Sequence, residues 1–282
     1  VTVCRPAFVS LHPLVAAALL VVAHSALANT PPTATLESTL PKSRWQRMEL
    51  GVNGWFYGPA IGNWDTRAPN IQGQAAIPMA MTTQLTLSVP LFGRFQAAVT
   101  PTFTMQPFEG STFQLQNPSF GVQGDVVESK GGPFSYWARY EVVVPVTAAT
   151  RAAGQRLVPQ AVNVLSYQPT GTNWQFRLVA VPSATVFDDG SWGMNAYFSP
   201  QIHYLVNDRF RVVALLEKYM IRRKDAHVFD FRDSQPSNMG LGVRYTLWRD
   251  GLWFQPFLNF YPFGPINANT VHLSFFFGGR VL

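Results

Sequence analysis

The chain has one cysteine in 282 residues, Cys4, and it lies in an N-terminal segment that reads as an export signal. Without that segment no thiol remains to form a disulfide, hold a metal or attack a substrate. Charge is scarce as well: Asp, Glu, Lys and Arg make up 13% of the residues, against about 25% in ordinary soluble domains. The one basic cluster, Arg222-Arg223-Lys224, reads as a solvated loop, and with no basic stripe a nucleic-acid partner is not expected. Gly-rich phosphate loops, Cys/His metal spacings and dinucleotide fingerprints are missing, so no cofactor and no metal are expected. Past the N-terminus no apolar run reaches the ~20 residues of a spanning helix, yet 47% of residues are hydrophobic. Strands can place that much apolar surface in a membrane without any long apolar run.

The N-terminus carries Arg5, the apolar run 14–23, and Ala26-Leu27-Ala28. A basic start, a short apolar stretch and a small-x-small site describe a secretory signal over 1–28, cut after Ala28. Residues 29–43, with Pro31, Pro32 and Pro41, read as a flexible periplasmic lead-in, and 44–282 as the folded domain. Taking Arg5 from the 21 basic residues leaves 20 against 15 acidic ones, a small positive excess.

From Pro133 onward hydrophobicity alternates with period two. Phe134, Tyr136, Ala138, Tyr140, Val142, Val144 and Val146 share one face, and Ser135, Trp137, Arg139, Glu141 and Thr147 the other. Trp174, Phe176, Leu178 and Ala180 oppose Gln175 and Arg177 in the same way, as Met239 to Leu247 oppose Gly240, Gly242, Arg244 and Thr246. Each set is a strand with one apolar and one polar face. Twelve such units are expected, near 45–57, 79–90, 94–106, 113–128, 134–147, 157–168, 173–187, 192–206, 209–221, 238–248, 251–263 and 269–281. The unit at 157–168 alternates poorly.

The connections alternate too. Phe92-Gly93-Arg94, 130–133, Thr170-Gly171-Thr172, Asn207-Asp208 and 249–251 are tight, whereas 58–78, 148–156 and 222–238 are longer. Aromatics flank the tight turns (Phe92 and Phe95, Phe134 and Tyr136, Trp174 and Phe176, Tyr204 and Phe210, Trp248 and Trp253) and the longer-loop rim (Trp55-Phe56-Tyr57, Phe260-Tyr261). Two aromatic girdles, short turns at one rim and longer loops at the other describe a transmembrane barrel. A soluble sandwich or lipocalin-like barrel also alternates, but does not call for two girdles.

On this pattern the chain resembles a Gram-negative outer-membrane β-barrel protein of the porin-like channel kind. The resemblance implies an all-β, antiparallel up-and-down barrel of about twelve strands in the bacterial outer membrane, with outer-membrane lipids around it and small solutes passing through it. It also implies contact with the barrel-assembly machinery during biogenesis, which such proteins meet through an aromatic last residue. Here the final strand, Val271 to Val281, is followed by Leu282 instead.

With apolar side chains toward lipid, the polar faces line the lumen. Glu49, Asp125, Arg139, Glu141, Arg177, Arg211, Glu217 and Arg244 are expected there, with Gln84, Gln96, Thr100, Thr102, Gln123, Gln175, Asn195, Gln201 and His203. Arg94 and Arg280 at the rim tip the balance toward cations on the protein and anions in transit. The same charges could instead pair internally, Arg139 and Glu141 with Arg177, and fill a narrow barrel. The loop residues Asp225, His227 and Asp230 could hold a divalent cation, but an acidic loop without a recognised spacing is more often solvated. Ser199 and His203 share a face about 13 Å apart along one strand, too far for a nucleophile and its base. Asp188-Asp189-Gly190 is first a turn, and no enzyme is expected.

The first functional reading is a passive channel for small solutes with a leaning toward anions. The second is a non-conducting barrel that serves as a surface binding or assembly component. The third is an outer-membrane lipid hydrolase.

Overall fold

The computed structural model describes residues 48–62, 71, 81–106, 112–127, 132–224, 226–227, 230–248 and 251–281. The export signal, the lead-in, Trp64-Asp65-Thr66-Arg67 and Asp225 lie outside the described residues.

Fourteen strand segments form one antiparallel sheet: β1 (Glu49–Ala60), β2 (Met81–Phe92), β3 (Phe95–Thr100), β4 (Thr102–Gln106), β5 (Thr112–Leu115), β6 (Ser119–Val127), β7 (Phe134–Val143), β8 (Gln155–Tyr167), β9 (Trp174–Phe187), β10 (Trp192–Leu205), β11 (Phe210–Arg222), β12 (Arg232–Thr246), β13 (Trp253–Phe260) and β14 (His272–Arg280). Pro101 interrupts one stave between β3 and β4, and 116–118, ending in Pro118, interrupts the next between β5 and β6. Proline has no N–H to give the ladder, and at these two positions the ladder breaks, whereas Pro90, Pro159, Pro182, Pro200 and Pro256 stay paired within strands. Counted as staves, the segments number twelve, and β1 pairs with both β14 and β2. The sheet therefore closes into the up-and-down barrel that the resemblance to porin-like proteins implies.

Two connections depart from the expected alternation. The loop expected over 222–238 ends early, because β12 starts at Arg232 and pairs with β11 through Ile221↔Arg232. Its first residues lack the apolar alternation that marks a strand, and ladder pairing alone extends it past the apolar zone. On the same rim β9 and β10 are joined by a tight turn over 188–191, with Gly190 at φ 78°, a left-handed position that glycine adopts without strain. Strand β7 stops at Val143, two residues before Pro145, and one helical turn, α1 (Ala148–Ala152), follows with Thr147 as its cap. Asn117 accepts from the backbone N–H groups of Val146 and Thr147 at 2.8 and 3.1 Å, and so ties this loop to the break below β6.

Faces follow from register, because directly opposed residues share a side of the sheet. Leu87, Val99, Phe120, Tyr140, Leu178, Ile202, Val212, Leu241, Leu258 and Leu273 are all exposed on the outer side. Ser88, Thr100, Glu141, Ser199, His203, Glu217, Asn259 and Ser274 are buried on the inner side. An apolar exterior around a polar interior is the inverse of a soluble barrel. The 14 residues of β10, at about 3.3 Å each and tilted by about 40°, rise roughly 35 Å. That height covers an apolar band of about 25 Å with a margin at each end.

The aromatic rims need correction. Phe92 and Phe95 meet at 5.4 Å, and Trp174 and Tyr204 at 4.9 Å, on the outside of the tight-turn end. Trp253 is not among them: it pairs with Gly278 and Thr246 on the inner face and lies under the Arg244 guanidinium. At the opposite end, consecutive Trp55, Phe56 and Tyr57 cannot share one face of a pleated strand. Phe56 turns outward onto Phe275 at 4.8 Å, while Tyr57 turns inward.

Candidate functional site

The interior holds three distinct groups. The first is a cavity of about 770 Å³ reaching inward from the tight-turn rim. Six arginines line it, Arg94, Arg139, Arg209, Arg211, Arg244 and Arg280, against the carboxylates of Glu49, Asp125 and Asp208. Glu49 pairs with Arg280 at 3.3 Å. Asn53, Gln96, Gln123, Ser88 and Thr246 supply neutral polar groups, and Trp137 and Trp253 two aromatic walls. Arg94, Asp208 and Arg209 come from tight turns and the strand residues from inward faces: Gln123 stands opposite Gln96 and Arg139, and Arg244 opposite Arg211.

The second group sits on the β6–β8 wall. Arg139 Nε lies 3.1 Å from Glu141 Oε2, both side chains nearly fully buried. Ser119 donates to the same oxygen at 2.6 Å, and Gln160 donates to Oε1 at 2.5 Å. Gly121 makes the cluster possible, since a Cβ there would stand 2.7 Å from the Cβ of Glu141. The three-way pairing with Arg177 does not form. Arg177, on β9, lies instead in electrostatic range of Arg211 and Arg244. Gln201, directly opposite Arg177, links Ser199 to His203 by hydrogen bonds of 3.2 and 3.0 Å. Ser199 and His203 thus share an amide bridge rather than the direct contact a catalytic pair needs. His272 and Ser274 are likewise engaged separately, with Gly58 O and Asn259 Nδ2.

The third group lies toward the opposite rim. Glu217 on β11 is fully buried and accepts at Oε1 from Tyr57 at 2.8 Å and from Tyr197 at 2.7 Å. Tyr57 belongs to β1, so its hydroxyl reaches across a sector of the lumen that β12, β13 and β14 span along the wall. Beside it Val213, Leu215 and Phe257 form a small apolar core with Tyr57 and Phe276 packed on it. Gly240 and Gly242 of β12 accommodate this core: a Cβ on Gly242 would fall 2.4 Å from the Cβ of Phe257. A lining read as polar throughout is therefore interrupted by aliphatic and aromatic groups. The paired glycines on the polar face of β12 were the signal available in sequence.

At the longer-loop rim Arg222 differs from the solvated residue expected of its basic cluster. It is buried, lies 4.0 Å over the Trp192 ring, and donates to the carbonyls of Trp192, Ala226 and His227. Arg223 and Lys224 are exposed, and Lys224 pairs with Asp189 at 3.1 Å. Asp189 also accepts from the side chain and the backbone N–H of Ser191. The Ser191 contacts, then Lys224, hold its carboxyl at about 2. Asp230 is drawn off by Arg232 at 3.0 Å, so its oxygens are committed to an ion pair.

The remaining residues of the expected lining are placed by register. Glu49 and Asp125 stand opposite Ser88 and Trp137 at the tight-turn rim, and Gln84, Thr100 and Thr102 stand opposite Asn53, Ser119 and Gln84. Gln175 is opposite His203, and Asn195 opposite Ser183.

No protein-family model matches the chain, and no curated protein sequence matches it. Among solved structures, it is similar to the NanC porin at 11% identity, over 83% of this chain and 100% of that one, with a TM-score of 0.44. It is similar to an outer-membrane channel from Pseudomonas putida F1 at 9% identity, over 89% and 100% of the two chains, with a TM-score of 0.47. A triple mutant of the Rhodopseudomonas blastica porin matches at 8% identity, over 83% and 100%, with a TM-score of 0.32.

Proposed function

We propose that this protein is a channel of the bacterial outer membrane that passes small solutes without expending energy and favours anions. The observation that carries this reading is the polar cavity of about 770 Å³ lined by six arginines and three carboxylates. Such a lining raises the local concentration of anions and repels cations. The apolar outer belt supports a membrane setting, and the tight turns belong on the periplasmic side by the usual orientation of such barrels.

The test is conductance of the refolded full chain in a planar bilayer under a potassium chloride gradient. The expected result is discrete channels whose reversal potential reports more chloride than potassium passing. Changing Arg209 and Arg280 to Gln should move that potential toward the cation side. Silent membranes at high protein load would overturn the channel reading.

A second reading, a non-conducting barrel that binds at its surface, is favoured by one feature. The Tyr57–Glu217–Tyr197 group and the adjacent apolar core occupy lumen space above the cavity. The same recording separates the two. The Ser199–Gln201–His203 file favours no hydrolase, since its hydrogen bonds hold the serine and histidine apart.

A further inference from the structure

Among the described residues no carboxylate is ion-paired with any of three guanidinium groups on the turn-side half of the barrel wall, although Glu49, Asp125 and Asp208 line the same cavity as two of them. Arg211 and Arg244 are directly opposed on β11 and β12, an arrangement that like charges destabilise. Arg177 on β9 adds a third charge in range of both. Arg177 lies in range of Arg211 and the Tyr197 phenol, and Arg244 in range of Arg177 and Arg211, with no carboxylate of the described residues among these groups. The Nε of each is buried and has no hydrogen-bond partner. Charge gathered in this way away from bulk water is costly unless something of opposite sign joins it.

The groups are also held in place. Arg211 donates through Nη1 to Gln175 Oε1 at 3.1 Å, and Arg244 is stacked 4.0 Å from the Trp253 ring centre. Arg211, Arg244 and Trp253 all face the cavity. Planar guanidinium forks match the oxygens of carboxylate and phosphate in two-point contacts, which a spherical halide cannot return. Two directly opposed forks and a third nearby suit a ligand with two or more negative oxygens.

We propose that Arg177, Arg211 and Arg244 form a saturable binding station in the lumen for a small multivalent oxyanion, phosphate or short dicarboxylate. This deepens the channel reading by naming the class of solute that pauses in the cavity, but binding at the station does not require that the lumen conduct.

The test is calorimetric titration of the refolded full chain in detergent at low salt, with inorganic phosphate in one arm and succinate in the other. Saturable binding of either anion, near one per chain, is expected, and the arm that binds identifies phosphate or carboxylate as the preferred group. Arg211→Gln and Arg244→Gln should each weaken it about ten-fold or more, the loss of one charge-assisted contact. Arg244→Lys should fall between, and Arg156→Gln at the far rim should match the wild type. Thermal unfolding guards against a folding defect: the preferred anion should raise the melting temperature of the wild type and not that of R244Q. No saturable heat in either arm, or equal affinity in R211Q, R244Q and the wild type, overturns the station. Intact binding in a protein that forms no channels overturns the channel and leaves the station standing.

Discussion

Removing the Tyr57 hydroxyl tests how the lumen is held together. Tyr57 and Tyr197 donate to one oxygen of Glu217 at 2.8 and 2.7 Å, and the carboxylate they share is fully buried. The Tyr57 hydroxyl also lies 3.4 Å from the Tyr219 hydroxyl. A hydrogen bond to a charged acceptor contributes about 1.5–3 kcal/mol, and one to a neutral acceptor about 0.5–1.5 kcal/mol. Tyr57→Phe keeps the ring against Phe276 and the Val213, Leu215 and Phe257 core and deletes only the donor. It should therefore cost about 1–3 kcal/mol of unfolding free energy, and Tyr197→Phe a similar amount. Because both bonds end on Oε1, the double variant should cost more than the two losses added, as Glu217 is left buried with neither donor. Urea unfolding of the barrel in lipid vesicles, followed by tryptophan fluorescence, measures all three. Losses of under about 0.5 kcal/mol in both single variants would refute the idea that these bonds fix Glu217. A loss in the upper range would identify the acceptor as ionised.

Gly242→Val should destabilise the barrel by about 2 kcal/mol or more, because its side chain must displace Phe257 and meets the Pro256 carbonyl 2.2 Å from the Cβ site. The same vesicle unfolding assay checks it, and an unchanged midpoint would show that β12 yields without strain. The β9–β10 turn should keep its order in acid. The Asp189 carboxyl is lowered to about 2 by Ser191 and Lys224, so its contribution is present above the ordinary carboxylate range and lost as pH falls through about 2. Amide exchange at Ser191 should hold from pH 6 to 4 and rise below 3, whereas in Asp189→Asn it should not change with pH beyond the intrinsic rate.

The barrel itself was legible because period two is a local property. Each stave announces its two faces without knowing its neighbours, and twelve staves follow from counting them. What escaped is what depends on distance or on exceptions to the period. Tyr57 and Glu217 are 160 positions apart, and no local pattern joins them. Trp55, Phe56 and Tyr57 read as one girdle by composition, although the pleat sends them to opposite faces. Arg222 looked solvated because it sits in a basic run, yet three carbonyls from one loop and one strand turn it into a clasp. Strand β12 begins earlier than its apolar alternation because pairing, not hydrophobicity, extends a strand beyond the apolar belt. Trp253 was placed in a girdle by its neighbour Trp248, when the inward register of β13 sets it beneath a cation.

A closed barrel abolishes free edges, yet the staves of this one end at unequal heights and leave steps, one of them beside β7. Strand β7 leaves the sheet after the pair Ser119↔Val143, with Val144 N still bound to Pro118 O. Above that level β5 continues, paired on β4 alone. Hydrocarbon tolerates no unpaired backbone polar groups facing it. In the membrane setting proposed above, the oily layer on this side of the molecule would end at or below the level of Ser119, with β4 and β5 in headgroups or water. In that setting Pro101 and Pro118, which break these staves, mark a waterline drawn in the backbone.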